Sequence, residues 1–288
     1  MDNISALRGI TPDVVSAQTH LFEIVPTDRR LSGGRNWTRI KSRNVAKNPP
    51  RGVVIEYYLA AEPASDMSLT IMEAGGEIIQ RFSSQSDDSR SPPAEAGTNR
   101  FIWDMRYPGN QLPLSAGALP EYEYYGPPAR PVALPGQYIA MLTVDGQTVE
   151  QNFEIRRIEG AAASDADLKA QFELMLAIRK RVDDVSGLLV ETRETRARIT
   201  GLAEAETALQ QLDDIEGILT MWIGSDAHPM MFGPPALMQK LSRLSRAVVS
   251  ADAKPTASMY AVFADLSERI DMQRERLQQL INQELATK

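Results

Sequence analysis

The stretch PGQYIAMLTVDGQTVEQNFEI (residues 135–155) decides how the first half of this chain folds. Side chains alternate with a period of two along a strand, so Tyr138, Ala140, Leu142 and Val144 share one face. Asp145-Gly146 suits the two positive-φ positions of a type I′ turn. Val149, Gln151, Phe153 and Ile155 then resume the alternation. The stretch predicts a hairpin with one face against a core.

Other strands surround it. VVIEYYLA (53–60) is β-branched and aromatic. MSLTIME (67–73) sets Met67, Leu69 and Ile71 against Ser68, Thr70 and Met72, AGGE (74–77) supplies a turn, and EIIQRFS returns. NRFIWDM (99–105) places Phe101, Trp103 and Met105 on one face and Arg100, Ile102 and Asp104 on the other. Six or so short antiparallel strands predict a β-sandwich over residues 49–160, preceded by an extended arm over 1–48.

Proline marks where this pattern stops. Fourteen of the 18 prolines fall between Pro12 and Pro135, and none between Gly136 and His228. Beyond about residue 160 the apolar period becomes helical. Ser164, followed by Asp165 and Asp167, predicts an N-cap with acids in the first turn. From there the stripe Leu168, Phe172, Met175, Leu176, Arg179, Val182, Val185 and Leu189 continues to about Ile199. A second helix is expected over 203–223 (Leu209, Leu212, Ile215, Ile218, Leu219, Trp222), with Gly224 as C-cap. A third covers 235–249 (Leu237, Leu241, Leu244, Val248). A fourth covers 256–285, with Met259, Val262 or Phe263, Leu266, Ile270, Leu277, Leu280 and Ile281. Four amphipathic helices on short loops predict an antiparallel helical bundle over 161–288. The fold class is therefore multidomain β plus α.

Composition narrows function by exclusion. Hydrophobic residues make up 43% and charged residues 24%, enough for a packed core in each half. With no cysteine, disulfides, thiol catalysis and thiolate metal sites are excluded. The two histidines, His20 and His228, come with no G-x-S-x-G elbow and no H-E-x-x-H. Gly33-Gly34 and Gly75-Gly76 lack phosphate-loop spacing. Asp87-Asp88 and Asp213-Asp214 are adjacent pairs; on a helix such neighbours diverge, so Asp213 and Asp214 are expected on a solvated face. Glu56, Asp104, Glu121 and Glu123 are the carboxylates available for glycoside chemistry, with Asp104 expected to pair with Arg106. No cofactor is expected.

Thirty-one basic against 38 acidic residues give a net charge of −7, which argues against a nucleic-acid partner for the chain as a whole. No apolar run is long enough for a membrane span, and residues 1–15 do not read as a secretory signal. One basic segment stands apart: residues 29–51 hold Arg29, Arg30, Arg35, Arg39, Lys41, Arg43, Lys47 and Arg51, with Trp37 and no acid. It reads either as a phosphate-backbone binder or as a solvated tether along acidic faces of the chain. The candidate binding residues are Tyr122, Tyr124 and Tyr125 in PEYEYYGPPARP. Rigid aromatics among prolines suit stacking on sugar rings or on a protein surface. Equally, they suit covering the sandwich's own edge or packing against the helices.

Four stretches carry a family resemblance: KNPPRGVVIEYYLA, AGTNRFIWDMRYPG, LPGQYIAMLTVDGQTVEQNFEIR and SDADLKAQFELMLAIRKRV. Together with SADAKPTASMYAVFADL they resemble the C-terminal region of large bacterial β-propeller proteins, sortilin-like or glycosyl hydrolase-like, that carry Asp-box repeats. The opening DNISALRGITPDVVSAQTHLF resembles the segment leaving the last propeller blade. The resemblance implies an Ig-like sandwich followed by helices, a β-propeller domain or protein as partner, carbohydrate as a second class of ligand, and export from the cell. The sequence contains no Asp-box of the S-x-D-x-G-x-x-W type, so no catalytic residue carries over. The expectation is a non-catalytic accessory module acting by interdomain or protein–protein contact, the alternative a carbohydrate-binding module supporting a glycosidase.

Overall fold

The computed structural model describes residues 8–29, 51–86, 90–110, 127–201, 205–220 and 235–286. The chain divides into two compact units. One comprises Met1–Pro108 and Val132–Asp165, the other Gly109–Pro131 and Ala166–Lys288.

In the first unit Pro12–Ser16 form a short helix, α1, capped by the Thr11 hydroxyl. Eight strands follow among the described residues: β1 (Thr19–Leu21), β2 (Thr27–Asp28), β3 (Val53–Leu59), β4 (Ser68–Glu73), β5 (Ile78–Ser83), β6 (Gly97–Trp103), β7 (Gly136–Val144) and β8 (Gln147–Arg156). They form two sheets, ordered β1-β3-β6 and β2-β8-β7-β4-β5. The β7–β8 hairpin pairs Tyr138 with Phe153 and Val144 with Gln147. Its turn residues Asp145 and Gly146 take φ of 46° and 82°, the left-handed values that a I′ turn needs.

Both sheets contribute to one apolar core. It draws Val53, Ile55 and Trp103 from the smaller sheet and Leu69, Ile71 and Leu142 from the larger. Aromatic rings meet across it: Phe82 lies 4.8 Å from Phe101, and Trp103 lies 5.9 Å from Tyr138 and 6.1 Å from Phe153.

Two sequence expectations change here. Residues 1–48, read as an extended arm, supply β1 and β2. β1 runs antiparallel to β3, with His20 opposite Tyr58, whereas β2 runs parallel to β8. Leu21, Phe22 and Ile24, all buried, carry the chain between them. Strands of two or three residues are too short to show an alternation. The second change concerns β4, where Ser68 and Thr70 are as buried as Leu69 and Ile71. Polarity alternates along this strand; exposure does not.

Two carboxylates tie the loops at one end of this unit. Asp66 accepts from the Ser83 and Ser84 hydroxyls at 2.8 and 3.0 Å. Asp145 accepts from the Ala64 and Ser65 backbone N–H groups at 3.1 and 2.9 Å and from the Ser65 hydroxyl at 2.8 Å. The Ser83 hydroxyl at Asp66 and the Ser65 hydroxyl at Asp145 hold both carboxyls below the ordinary range. A depressed native pKa gives stability that is present above the ordinary carboxylate value of about 4 and is lost as pH falls through the native value. In thermal scans from pH 6 to pH 3, the doubly substituted Asp66→Asn, Asp145→Asn protein should melt below the wild type at pH 6. The gap should close towards pH 3. A gap constant with pH would remove the linkage.

The second unit holds α2 (Asp165–Ile199), α3 (Glu206–Leu219), α4 (Leu237–Val248) and α5 (Ala257–Ala286). All four feed one hydrophobic cluster, including Val182 and Val185, Leu212 and Ile215, Leu241 and Leu244, and Ile270 and Leu277. On α2 the buried stripe is Leu168, Gln171, Met175, Ile178, Val182, Val185, Leu189 and Thr192. Spacings of three and four keep these residues on one side of the helix. The expected Leu176 is 37% exposed, and Gln171 and Ile178 are buried in addition. On α5, Phe263 rather than Val262 packs against the core. Trp222 and Gly224 lie outside the described residues. Gly109–Pro131, counted in the sequence with the sandwich, groups with the helices. Its proline and tyrosine content is that of the first half, so composition could not reveal this.

Gln171 has a specific task. Only 2% exposed, its amide nitrogen donates to the carbonyl oxygens of Val248 and Ala251, both at 2.7 Å. It thereby satisfies carbonyls at the C-terminus of α4 that have no helical partner. Gln171→Leu keeps the volume and removes the donor, so it should lower unfolding free energy by about 2 kcal/mol in urea titrations followed by far-UV circular dichroism.

Candidate functional sites

Tyr122, Tyr124 and Tyr125 lie outside the described residues, as do Glu121, Glu123, Trp37, Asp87, Asp88 and His228. The remaining sequence-derived candidates fall into three settings.

The first is a polar cluster at the start of β7. Arg29, grouped in the sequence with the basic segment, is 2% exposed and its Nε donates to the Ala133 carbonyl at 2.8 Å. That burial takes it out of the proposed solvated tether. The Tyr138 hydroxyl donates back to the Leu134 carbonyl at 2.7 Å, and burial pushes its pKa up to about 12. The Tyr107 hydroxyl donates to Glu73 Oε1 at 2.5 Å. Burial first, and then this bond to Glu73, raise Tyr107 well above the ordinary phenol value. Both phenols therefore stay protonated near neutral pH. In the structure each hydroxyl acts as a hydrogen-bond donor.

The second setting is the smaller sheet. Glu56, one of the carboxylates considered for glycoside chemistry, sits directly opposite Arg100. Arg100 Nε and Nη2 both donate to Glu56 Oε1, at 2.8 and 2.6 Å. Asp104 accepts from the backbone N–H of Arg106 at 3.2 Å, a local turn bond at the end of β6. Met105 between them takes a left-handed φ of 56°. The ring of His20 packs edge-on against Phe22 at 4.8 Å.

The third setting is a cleft of about 320 Å³ in the helical unit, lined by Arg196, Asp213, Asp214 and Glu216. The Glu216 side chain is 8% exposed and is held by two cations. Arg193 Nε reaches Oε1 at 2.8 Å, and Arg196 Nη1 reaches Oε2 at 2.5 Å. Arg196 Nη2 also binds Asp213 at 2.5 Å, while Asp214 accepts from Gln210. The adjacent aspartates thus have different partners, as i, i+1 geometry requires. The sequence reading missed this cluster. Its signal was a basic i, i+3 pair (Arg193, Arg196) on one helix and an acidic one (Asp213, Glu216) on the next.

A further network joins α2 to α5. Arg181 contacts Asp271 through two parallel bonds of 2.9 Å and Asp184 at 3.1 Å, and Arg274 contacts the same two acids. Among the described residues, no three His, Asp or Glu side chains gather where they could hold a metal ion. No described helix is long and apolar enough to cross a membrane. No protein-family model matches the chain, and none of the curated proteins compared with it matches.

Proposed function

We propose that the chain is a non-catalytic accessory module that acts by interdomain or protein–protein contact. In this reading it is an Ig-like sandwich followed by an antiparallel helical bundle, of the kind that accompanies Asp-box β-propellers in glycosyl hydrolase-like proteins. The observation that carries it is the employment of the carboxylates. Glu56, Asp66, Glu73, Asp145, Asp184, Glu216 and Asp271 each accept from structural donors within their own unit. Such acids fasten strands and helices; a glycosidase pair instead needs two carboxyls facing one substrate.

The Ig-like reading rests on two details of the sheets. Tyr138, near the start of β7, bonds back to the backbone four residues upstream. This matches the tyrosine corner of Ig-like sandwiches. The first two strands join different sheets, β1 on β3 and β2 on β8.

The test is calorimetric titration of the full chain with a separately produced Asp-box β-propeller from a protein of that class. Saturable association supports contact with a propeller; absence of association overturns it. Saturable binding in a parallel glycan panel, abolished when Tyr122, Tyr124 and Tyr125 are replaced by Ala, would put the carbohydrate-binding alternative in its place.

A further inference from the structure

Asp145-Gly146 is the one Asp-Gly pair in the chain, and there is no Asn-Gly pair. Such a pair is chemically reactive, because a glycine nitrogen has no neighbouring side chain to obstruct it. The Gly146 nitrogen can bond to Cγ of Asp145 while the carboxyl hydroxyl leaves with the amide proton as water. Water then opens the resulting succinimide at either carbonyl. One product is aspartate again; the other is isoaspartate, in which the main chain runs through Cγ. Nothing at the nitrogen prevents this attack. Gly146 lies beyond the last ladder pair, Val144 with Gln147, and Asp145 is exposed. A Cβ added at Gly146 would meet nothing within 4 Å. The carboxyl, by contrast, is engaged at both oxygens. Oδ2 accepts from the Ala64 N–H at 3.1 Å, and Oδ1 accepts from the Ser65 N–H at 2.9 Å and the Ser65 hydroxyl at 2.8 Å.

We propose that Asp145 is the chain's site of spontaneous isoaspartate formation, and that Ala64 and Ser65 form a guard holding its carboxyl away from the Gly146 nitrogen. Ring closure needs Cγ within bonding distance of that nitrogen, so the carboxyl must first release residues 64 and 65. The same three donors favour the ionised carboxylate, whereas loss of water needs the protonated acid. The consequence falls on the sheet unit. Isoaspartate adds a methylene to a two-residue turn whose left-handed φ values of 46° and 82° set β7 against β8. It also displaces the carboxyl that fastens residues 64 and 65. Conversion at this one position therefore lengthens the hairpin turn and undoes its tie to the neighbouring loop.

Heavy-oxygen water reads the reaction directly, because each succinimide that reopens takes one oxygen from solvent. The full chain is incubated in it at neutral pH, and peptide mass spectrometry locates the label. Wild type should label slowly when folded and much faster when unfolded in guanidinium chloride, with Asp145 the leading site. Ser65→Ala removes one charge-assisted hydrogen bond and should speed folded-state labelling at Asp145 roughly tenfold. Ser65→Thr keeps a hydroxyl and should return the rate towards wild type. Thr148→Ala is the control. It removes the 3.2 Å hydroxyl contact with Thr143, beside the same turn, without touching the Asp145 carboxyl, and should leave the rate unchanged. The guard is overturned if Ser65→Ala labels no faster than wild type, or if Thr148→Ala accelerates labelling equally. It is overturned too if folded wild type labels as fast as the unfolded chain. Label gathering first at another aspartate overturns the assignment of the site.

Discussion

Trp103→Ala should lower the unfolding free energy of the sheet unit by about 4 kcal/mol, the range for truncating a large buried aromatic side chain. The indole is 1% exposed and is the largest fully buried side chain described. It projects from the smaller sheet onto Tyr138 and Phe153 of the larger one, whose rings stack at 5.6 Å with a 24° interplanar angle. Its Nε1 also donates to the Arg106 carbonyl at 3.3 Å, at the turn that follows the left-handed Met105. Alanine would open a cavity between the sheets and leave that carbonyl without this donor. Trp103→Phe keeps a ring but loses the donor, and should fall between alanine and wild type. Exchange protection of the β3 and β6 amides measures the effect where it arises. A loss below about 1 kcal/mol for Trp103→Ala would mean that the core collapses to fill the space.

The same residues show why part of the fold could be read directly from the sequence. The 135–155 hairpin is a local object. Its turn dipeptide and its alternation lie within 21 residues, and β7 and β8 pair along nearly their whole length. Phe101, Trp103 and Met105 likewise face the core as alternation predicts. β1 and β2 are different: each is defined by a partner far away in sequence, Tyr58 for His20 and Arg156 for Asp28. Nothing within Thr19–Leu21 or Thr27–Asp28 announces that partner. On α2 the expected Leu168, Met175, Val182, Val185 and Leu189 are buried, whereas Leu176 is exposed and Gln171 and Ile178 are buried in addition. Leu174, Met175 and Leu176 are consecutive apolar residues, so the local pattern does not say which of them face the core.

Sites were harder to read than strands because their members meet only in the fold. Arg29 looked like one cation among eight, and its acceptor, the Ala133 carbonyl, lies 104 positions along the chain. Glu216 was one acid among many until Arg193 and Arg196 were brought to it from another helix. Gln171 lies outside the stripe expected from the sequence. It is polar because it faces the end of another helix, and no pattern within α2 encodes that requirement.

Gly52→Ala is the second substitution expected to have a large effect, about 3 kcal/mol or more. Gly52 precedes β3 with φ of +139°, a conformation that L side chains rarely adopt. A Cβ there would lie 2.3 Å from the Trp103 carbonyl oxygen and 3.0 Å from Ile102 Cγ2. The first contact is with backbone, which cannot swing aside as a side chain can. Relief requires β3 and β6 to separate at the Val53–Trp103 pair, and that movement also disturbs the indole packed between the sheets. Gly146→Ala supplies the control. Gly146 also has a positive φ, of +82°, but an added Cβ there would meet nothing within 4 Å. That substitution should cost only the backbone preference, about 1 kcal/mol. Melting temperatures of the two variants, measured side by side, separate the ordinary cost of a left-handed turn position from the combined strain and close approach at Gly52. Equal losses would show that the close approach of Gly52 to Trp103 contributes nothing, whereas a much larger loss for Gly52→Ala places the excess on the junction of β3 and β6.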